Sequence, residues 1–228
     1  MSLSSPPATV LRPYLEPGRF CDSGHPAVIA FARDIAPAGA SPRQAAIALY
    51  RAVRDRFHYN PYRIDLRPAA LRASALLTRD HGYCIEKANL LAAAARATGI
   101  PSRLGFANVR NHLGTARLEA FLGTDLLVFH GYTELFLDGR WVKATPAFNA
   151  ALCHRLGVEP LEFDGRHDSI FQEFTPHSGR YMEYVHDYGT FADVPRDRFI
   201  AELKQHYPHL FDGRETPDVP PGWEFIIE

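Results

Sequence analysis

Asp80-His-Gly-Tyr-Cys84-Ile-Glu-Lys-Ala-Asn-Leu-Leu-Ala-Ala-Ala-Ala-Arg-Ala-Thr-Gly-Ile-Pro-Ser-Arg103 is the stretch from which the fold can be read. Ile85–Thr98 consists largely of strong helix formers, so propensity and length both predict a helix. Gly99 is a natural left-handed stop, and Pro101 prevents continuation. Gly82 lets the chain turn sharply into the helix. Cys84 therefore falls on the first turn. Unpaired N–H groups and the helix dipole at that end favour a thiolate, which makes the cysteine a candidate nucleophile.

Upstream of this stretch the pattern is helical. Pro26–Ile35 carries apolar Val28, Ile29, Phe31, Ala32 and Ile35. A second helix has an explicit start, with Ser41 as N-cap, Pro42 at the first helical position and Gln44 completing a capping box. Ala46, Leu49, Tyr50, Val53 and Phe57 give it one apolar face, and Tyr59-Asn60-Pro61 ends it. Arg72–Leu77 is a short apolar piece leading into the Asp80 turn. Downstream the period changes. Arg103–Val109 reads as a strand, Leu113–Thr124 as a loop with a short helix, and Leu126–Leu137 as a strong strand. Asp138-Gly139 is a two-residue hairpin signal, and Trp141–Ala144 is the returning strand. Helices followed by antiparallel strands define an α+β domain.

Beyond Phe148 the signals are weaker. Asp164-Gly165 marks a turn, Gly179–Tyr188 a strand or docking segment with Tyr181, Tyr184 and Tyr188 as packing residues, and Asp197–Tyr207 a helix. The expected organisation is an N-terminal arm over residues 1–25, a core over 26–150, and a C-terminal extension over 151–228 packed on that core.

Composition narrows the function classes. The chain has 228 residues, 46% hydrophobic and 22% charged, with a net charge of −1. No block of like charge points to nucleic acid or an anionic membrane as partner. No apolar run is long enough for a transmembrane helix. The first ten residues lack the basic start and apolar core of a signal peptide. Cys21, Cys84 and Cys153 are odd in number and form no CxxC pair, which argues against a disulfide framework or a structural zinc site. A cytoplasmic setting is expected. Cys153-His154 and His167-Asp168 fit no usual metal-ligand spacing, so no metal or other cofactor is expected.

A nucleophilic thiol needs a base in reach, and the base needs an orienting group. His130 lies inside the strong strand, and alternation puts it on one face with Tyr132 and Glu134, opposite Phe129, Gly131 and Thr133. Pairing across the Asp138-Gly139 turn sets Ala147 opposite His130, with Thr145 and Asn149 nearby. Glu86 and Glu134 read as structural ion-pair or hydrogen-bond partners.

These residues carry a resemblance. Gly82-Tyr-Cys84, Ala88, Leu90-Leu91, Ala97 and Gly99-Ile-Pro-Ser-Arg103, followed by His130-x-Tyr132-x-Glu134 and Gly139-x-Trp141, resemble the transglutaminase-like superfamily over roughly residues 26–150. Ala45–Arg54 with Phe57-His58-Tyr59 is similar to that family's lead-in helix. The resemblance implies a papain-like core with N-terminal helices packed on an antiparallel sheet. It also implies a Cys-His-Asp triad that hydrolyses amide bonds or transfers an acyl group to an amine. Cys84 would then be the nucleophile and His130 the base, acting on a peptide or protein amide, with hydrolysis favoured. The family's third residue, an Asp before a Pro, is replaced here by Thr145 before Pro146. Thr145 and Asn149 are the candidate orienting groups, with residues 150–190 as the other source. The backbone N–H of Cys84, helped by Tyr59 or Tyr83, would form the oxyanion hole. Two other readings remain open. Gly82-Tyr-Cys84-Ile-Glu86 is also similar to arylamine acetyltransferases, and the chain could keep the fold as a binding module without the chemistry.

Overall fold

The computed structural model describes residues 8–111, 116–170, 182–212 and 223–227. Tyr181, residues 113–115 of the loop reading and most of the tail from Pro217 lie outside them. In chain order the elements are α1 (Ala8–Leu11), a 3-10 turn (Arg12–Tyr14), α2 (Pro26–Ile35), α3 (Pro42–Arg56), β1 (His58–Tyr59), β2 (Arg63–Asp65), α4 (Ala73–Leu76), β3 (His81–Gly82) and α5 (Cys84–Ala97). Then follow β4 (Ser102–Asn111), α6 (Ala116–Leu122), β5 (Leu126–Leu137), β6 (Arg140–Ala144), α7 (Ala150–Leu156), β7 (Met182–Phe191), α8 (Arg196–His206), a 3-10 turn (Pro208–Leu210) and β8 (Glu224–Ile226).

α5 is the axis of the core. Every residue from Ile85 to Arg96 is buried, because its run of alanines lets α2, α3, α4, β4 and β5 all pack closely around it. The helix ends in a Schellman motif: Gly99 has φ +82°, its N–H donates to Arg96 O at 2.9 Å, and Ile100 N–H donates to Ala95 O at 2.9 Å. α3 begins with the capping box between Ser41 and Gln44.

The sheet has the order β6-β5-β4-β7 with antiparallel neighbours. The β5–β6 hairpin turns at Asp138 (φ 49°) and Gly139 (φ 85°), both positive as a type I′ turn requires. Its register pairs Thr133 with Ala144 and Glu134 with Lys143, but the ladder stops there, before Ala147 can face His130. The motif residues are tied together by contact. Arg103 and Glu134 are partners in the β4–β5 register and form an ion pair, with Arg103 Nε donating to Oε2 at 2.7 Å. The guanidinium also stacks over Trp141 at 4.1 Å from the ring centre. Glu86 pairs with Arg79 at 2.7 Å and accepts the Tyr83 N–H. This is an α+β fold with helices on an antiparallel sheet, and β7 of the C-terminal third supplies its fourth strand.

Candidate active site

Cys84 opens α5, and the residues before it are fixed by a small parallel pair: His58 lies against His81 and Tyr59 against Gly82. Gly82 is needed there, since a Cβ would stand 2.7 Å from Leu76 Cδ1 and 3.1 Å from Glu86 Oε2. Thr133 Oγ1 donates to Ala88 O at 2.8 Å, so this face of β5 lies on α5. Gly131 is the point of closest approach. A Cβ there would meet Ile85 Cα at 3.0 Å, and the Gly131 N–H is aimed at the Cys84 sulfur.

Opposite the helix, a second apolar cluster contains Ala107, Val109, Ala147, Phe148, Cys153 and Met182. Ala107 is the register partner of His130. Cys84 packs against both clusters, so it sits at the seam between them.

His130 is delivered to that seam by a bulge. The β4–β5 register slips between Ala107 and Val109, where Val128 and Phe129 together face Asn108. Phe129 takes φ 60°, an uncommon conformation for a non-glycine residue. The freed backbone groups are satisfied by two side chains. Asn108 Oδ1 accepts the Phe129 N–H at 2.9 Å. The Tyr207 hydroxyl accepts from Val128 N at 2.8 Å and donates to Leu126 O at 2.6 Å. Strict alternation would turn one of every two residues away, yet Val128, Phe129 and His130 all line one cavity with Cys84.

The same cavity is lined by Tyr59 and Tyr83. Tyr83 is buried, and its hydroxyl has no hydrogen-bond partner among the described residues. Thr145 and Asn149 do not line it. Asn149 sits behind Tyr59, its Oδ1 accepting the Tyr59 N–H at 3.1 Å, and stands at the N-cap position of α7 without a side-chain bond to that helix. Thr145 is buried where its N–H donates to Ser169 O at 3.0 Å and its carbonyl accepts from the Tyr50 hydroxyl.

Burial dominates the electrostatics of the two reactive groups. It pushes the Cys84 thiol up to about 11, against the Gly131, Ile85 and Cys84 N–H groups that pull it down. It pushes His130 down to about 4. The helix terminus expected to favour a thiolate is thus outweighed by burial. Cys84 remains half-buried, whereas Cys21 and Cys153 are buried.

Several supports went unrecognised in the sequence. Lys87 is fully buried, and its Nζ donates to Arg54 O, Phe57 O and Ala147 O at 2.9, 2.7 and 2.7 Å. It ties both the Tyr59 lead-in and the turn before Asn149 to α5. A lysine in an otherwise buried alanine-rich helix was the available signal. Asn108, polar in the middle of an apolar strand, was another. Tyr207 left no local signal. Among the described residues no His, Cys, Asp and Glu cluster could hold a metal ion. His167 pairs with Asp164 at 2.7 Å, and Asp168 accepts the Lys143 N–H. No described helix is long and apolar enough to cross a membrane.

Comparison with known proteins follows from this geometry. The family model described as the transglutaminase-like superfamily matches residues 29–146. A solved structure named a "putative cysteine protease" from Cytophaga hutchinsonii superposes with a TM-score of 0.50 at 17% identity, covering 86% of this chain and 53% of that one. The chain thus spans about half the length of that structure. A "putative protease" from Parabacteroides distasonis shares 17% identity over 60% of this chain and 25% of its own, with a TM-score of 0.38. No curated protein matches the chain.

Proposed function

Because the chain belongs to the transglutaminase-like superfamily, we propose that it is a cysteine-dependent amidase or peptidase that works through a thioester at Cys84. The observation that carries this reading is the shared cavity, which both the Cys84 sulfur under the Gly131 N–H and His130 line. With thiol and imidazole both neutral at rest, the proton leaves sulfur as the sulfur attacks. Sγ bonds to the carbonyl carbon, the carbonyl electrons move to oxygen, and His130 receives the proton. Backbone N–H groups at the start of α5 and the Tyr83 hydroxyl stabilise the oxyanion. Collapse breaks the C–N bond, and His130 hands its proton to the departing amine. Water then attacks the thioester, His130 takes its proton, and cleavage of the C–S bond returns that proton to sulfur.

Asn149 acts in this scheme by holding Tyr59 rather than by orienting the imidazole, since its carbonyl oxygen is engaged with the Tyr59 N–H. Thr145 is assigned no catalytic step. Water is the favoured acceptor because a half-buried cysteine at a narrow apolar cavity offers little room for a second protein chain. The non-catalytic reading has one observation on its side, the combination of Thr145 with a neutral pair. An activated ester decides between them. With p-nitrophenyl acetate, mass spectrometry should find one acetyl group on Cys84, absent in Cys84→Ala and formed at least 10²-fold more slowly in His130→Ala. Acetylation elsewhere, or an unchanged rate in a folded His130→Ala protein, would refute the enzyme reading.

A further inference from the structure

The cavity beside Cys84 is walled mostly by hydrocarbon. Leu118 and Leu122 enter from α6, Leu127 and Val128 from β5, and Phe199 and Leu203 from α8. No Asp, Glu, Lys or Arg lines it among the described residues. Its polar groups belong to Cys84, His130 and three tyrosines, and the Tyr207 hydroxyl is already committed to the β5 backbone. Its enclosed part holds about 60 Å³ and opens to solvent at the mouth, space for a short hydrocarbon group. Among the described residues the Tyr83 hydroxyl lining it is a buried donor without a partner, a partner for a carbonyl oxygen rather than for a chain end.

We infer that this cavity is the acyl-group pocket and that it selects an apolar acyl donor, a leucine-like side chain or a short aliphatic chain. The inference rests on the thioester chemistry proposed for Cys84. With the carbonyl carbon at Sγ, the space beside it among the described residues lies between α6, β5 and α8. A glutamine amide or a carboxylate entering there would lose its water without finding a partner, which a hydrocarbon chain does not suffer. Donors with polar or acidic acyl groups are therefore discriminated against.

A series of p-nitrophenyl esters (acetate, hexanoate and hydrogen succinate) tests this on the intact protein. In each case the Sγ–C bond forms, the ester C–O bond breaks, p-nitrophenolate leaves, and the thiol proton passes through His130 to solvent. Each methylene moved from water into the pocket gains about fourfold. Acylation of Cys84 by hexanoate should therefore exceed that by acetate at least 10-fold in kcat/KM, with succinate slower than acetate. Leu118→Trp, which fills the pocket, should collapse the hexanoyl-to-acetyl ratio towards one. Equal acylation of Cys84 across the series would overturn the pocket and leave the cysteine chemistry standing. No acylation of Cys84 by any ester would overturn both.

Discussion

Cys84 is held as a thiol below about 11 and His130 as a neutral imidazole above about 4, so across the interval between those values neither is charged. A preformed thiolate–imidazolium pair needs the opposite order, with sulfur losing its proton before the ring does. The sign of the pH response follows. Thiolate concentration at Cys84 grows about tenfold per pH unit throughout the interval, so alkylation by iodoacetamide should rise steadily from pH 6 to 9. Cys84 should also be labelled faster than Cys21 or Cys153. Cys21 is buried and pushed up to about 12, and burial raises Cys153 as well. Peptide-resolved alkylation rates check both points, and a plateau from pH 5 upward would show an ion pair instead. At this scale the sequence singles out Cys84 and His130 as candidates through motif and helix position. It does not reveal their protonation, because the burial that sets it comes from α6, β5 and α8 together. The register that would set Thr145 and Asn149 beside His130 requires the hairpin ladder to continue. It ends at Ala144, and Asn149 turns to Tyr59.

Elements bring these residues together through the contact of α5 with β5. That contact depends on Gly131, whose missing side chain lets the strand backbone approach Ile85 and aim its N–H at the sulfur. In Gly131→Ala the added methyl would lie 3.0 Å from Ile85 Cα and 3.2 Å from Cγ1, so strand and helix must part. Overpacking of this kind costs about 1–3 kcal/mol, a fall in melting temperature of roughly 2–4 °C per kcal/mol for a chain this long. The catalytic penalty should be larger in proportion. A displacement of sulfur from His130 on the order of 1 Å costs about 10²-fold in rate. Calorimetry with acetyl-ester burst kinetics separates the two effects, and a wild-type burst from a destabilised variant would show that the close approach is not needed. Most helices and strands were legible to within a few residues, since α3, α5 and the β5–β6 hairpin carry caps, stops and turn residues of their own. The bulge at Val128–Phe129 was not. It is imposed by Asn108 from β4 and Tyr207 from beyond α8, and no local pattern in β5 records it.

Over the whole molecule, the C-terminal third completes the structure that the first 150 residues begin. β7 pairs with β4 along Leu104–Asn111, and Tyr188 and Phe199 cover Phe129 at 4.8 and 5.3 Å between ring centres. Asp193 accepts the N–H groups of Arg19, Phe20 and Cys21, and Arg96 at the far end of α5 donates to both Glu16 O and Ala192 O. The arm and the extension expected from composition are thus clamped to each other and to α5. Strand pairing over such distances leaves no local trace, which is why the segment around Tyr184 and Tyr188 could be read as a strand but not assigned a neighbour. A chain ending at residue 158 would expose the β4 edge, uncover Phe106 and Phe129, and remove the Tyr207 hydroxyl from Leu126 and Val128. It should keep helical far-ultraviolet dichroism, because α2, α3 and α5 remain. It should lose near-ultraviolet signal and cooperative melting, bind anilinonaphthalene sulfonate, and fail to acylate at Cys84. A truncated chain that melts cooperatively and acylates at the wild-type rate would instead make residues 26–150 an autonomous catalytic unit, with the strands and helices after it no more than a covering.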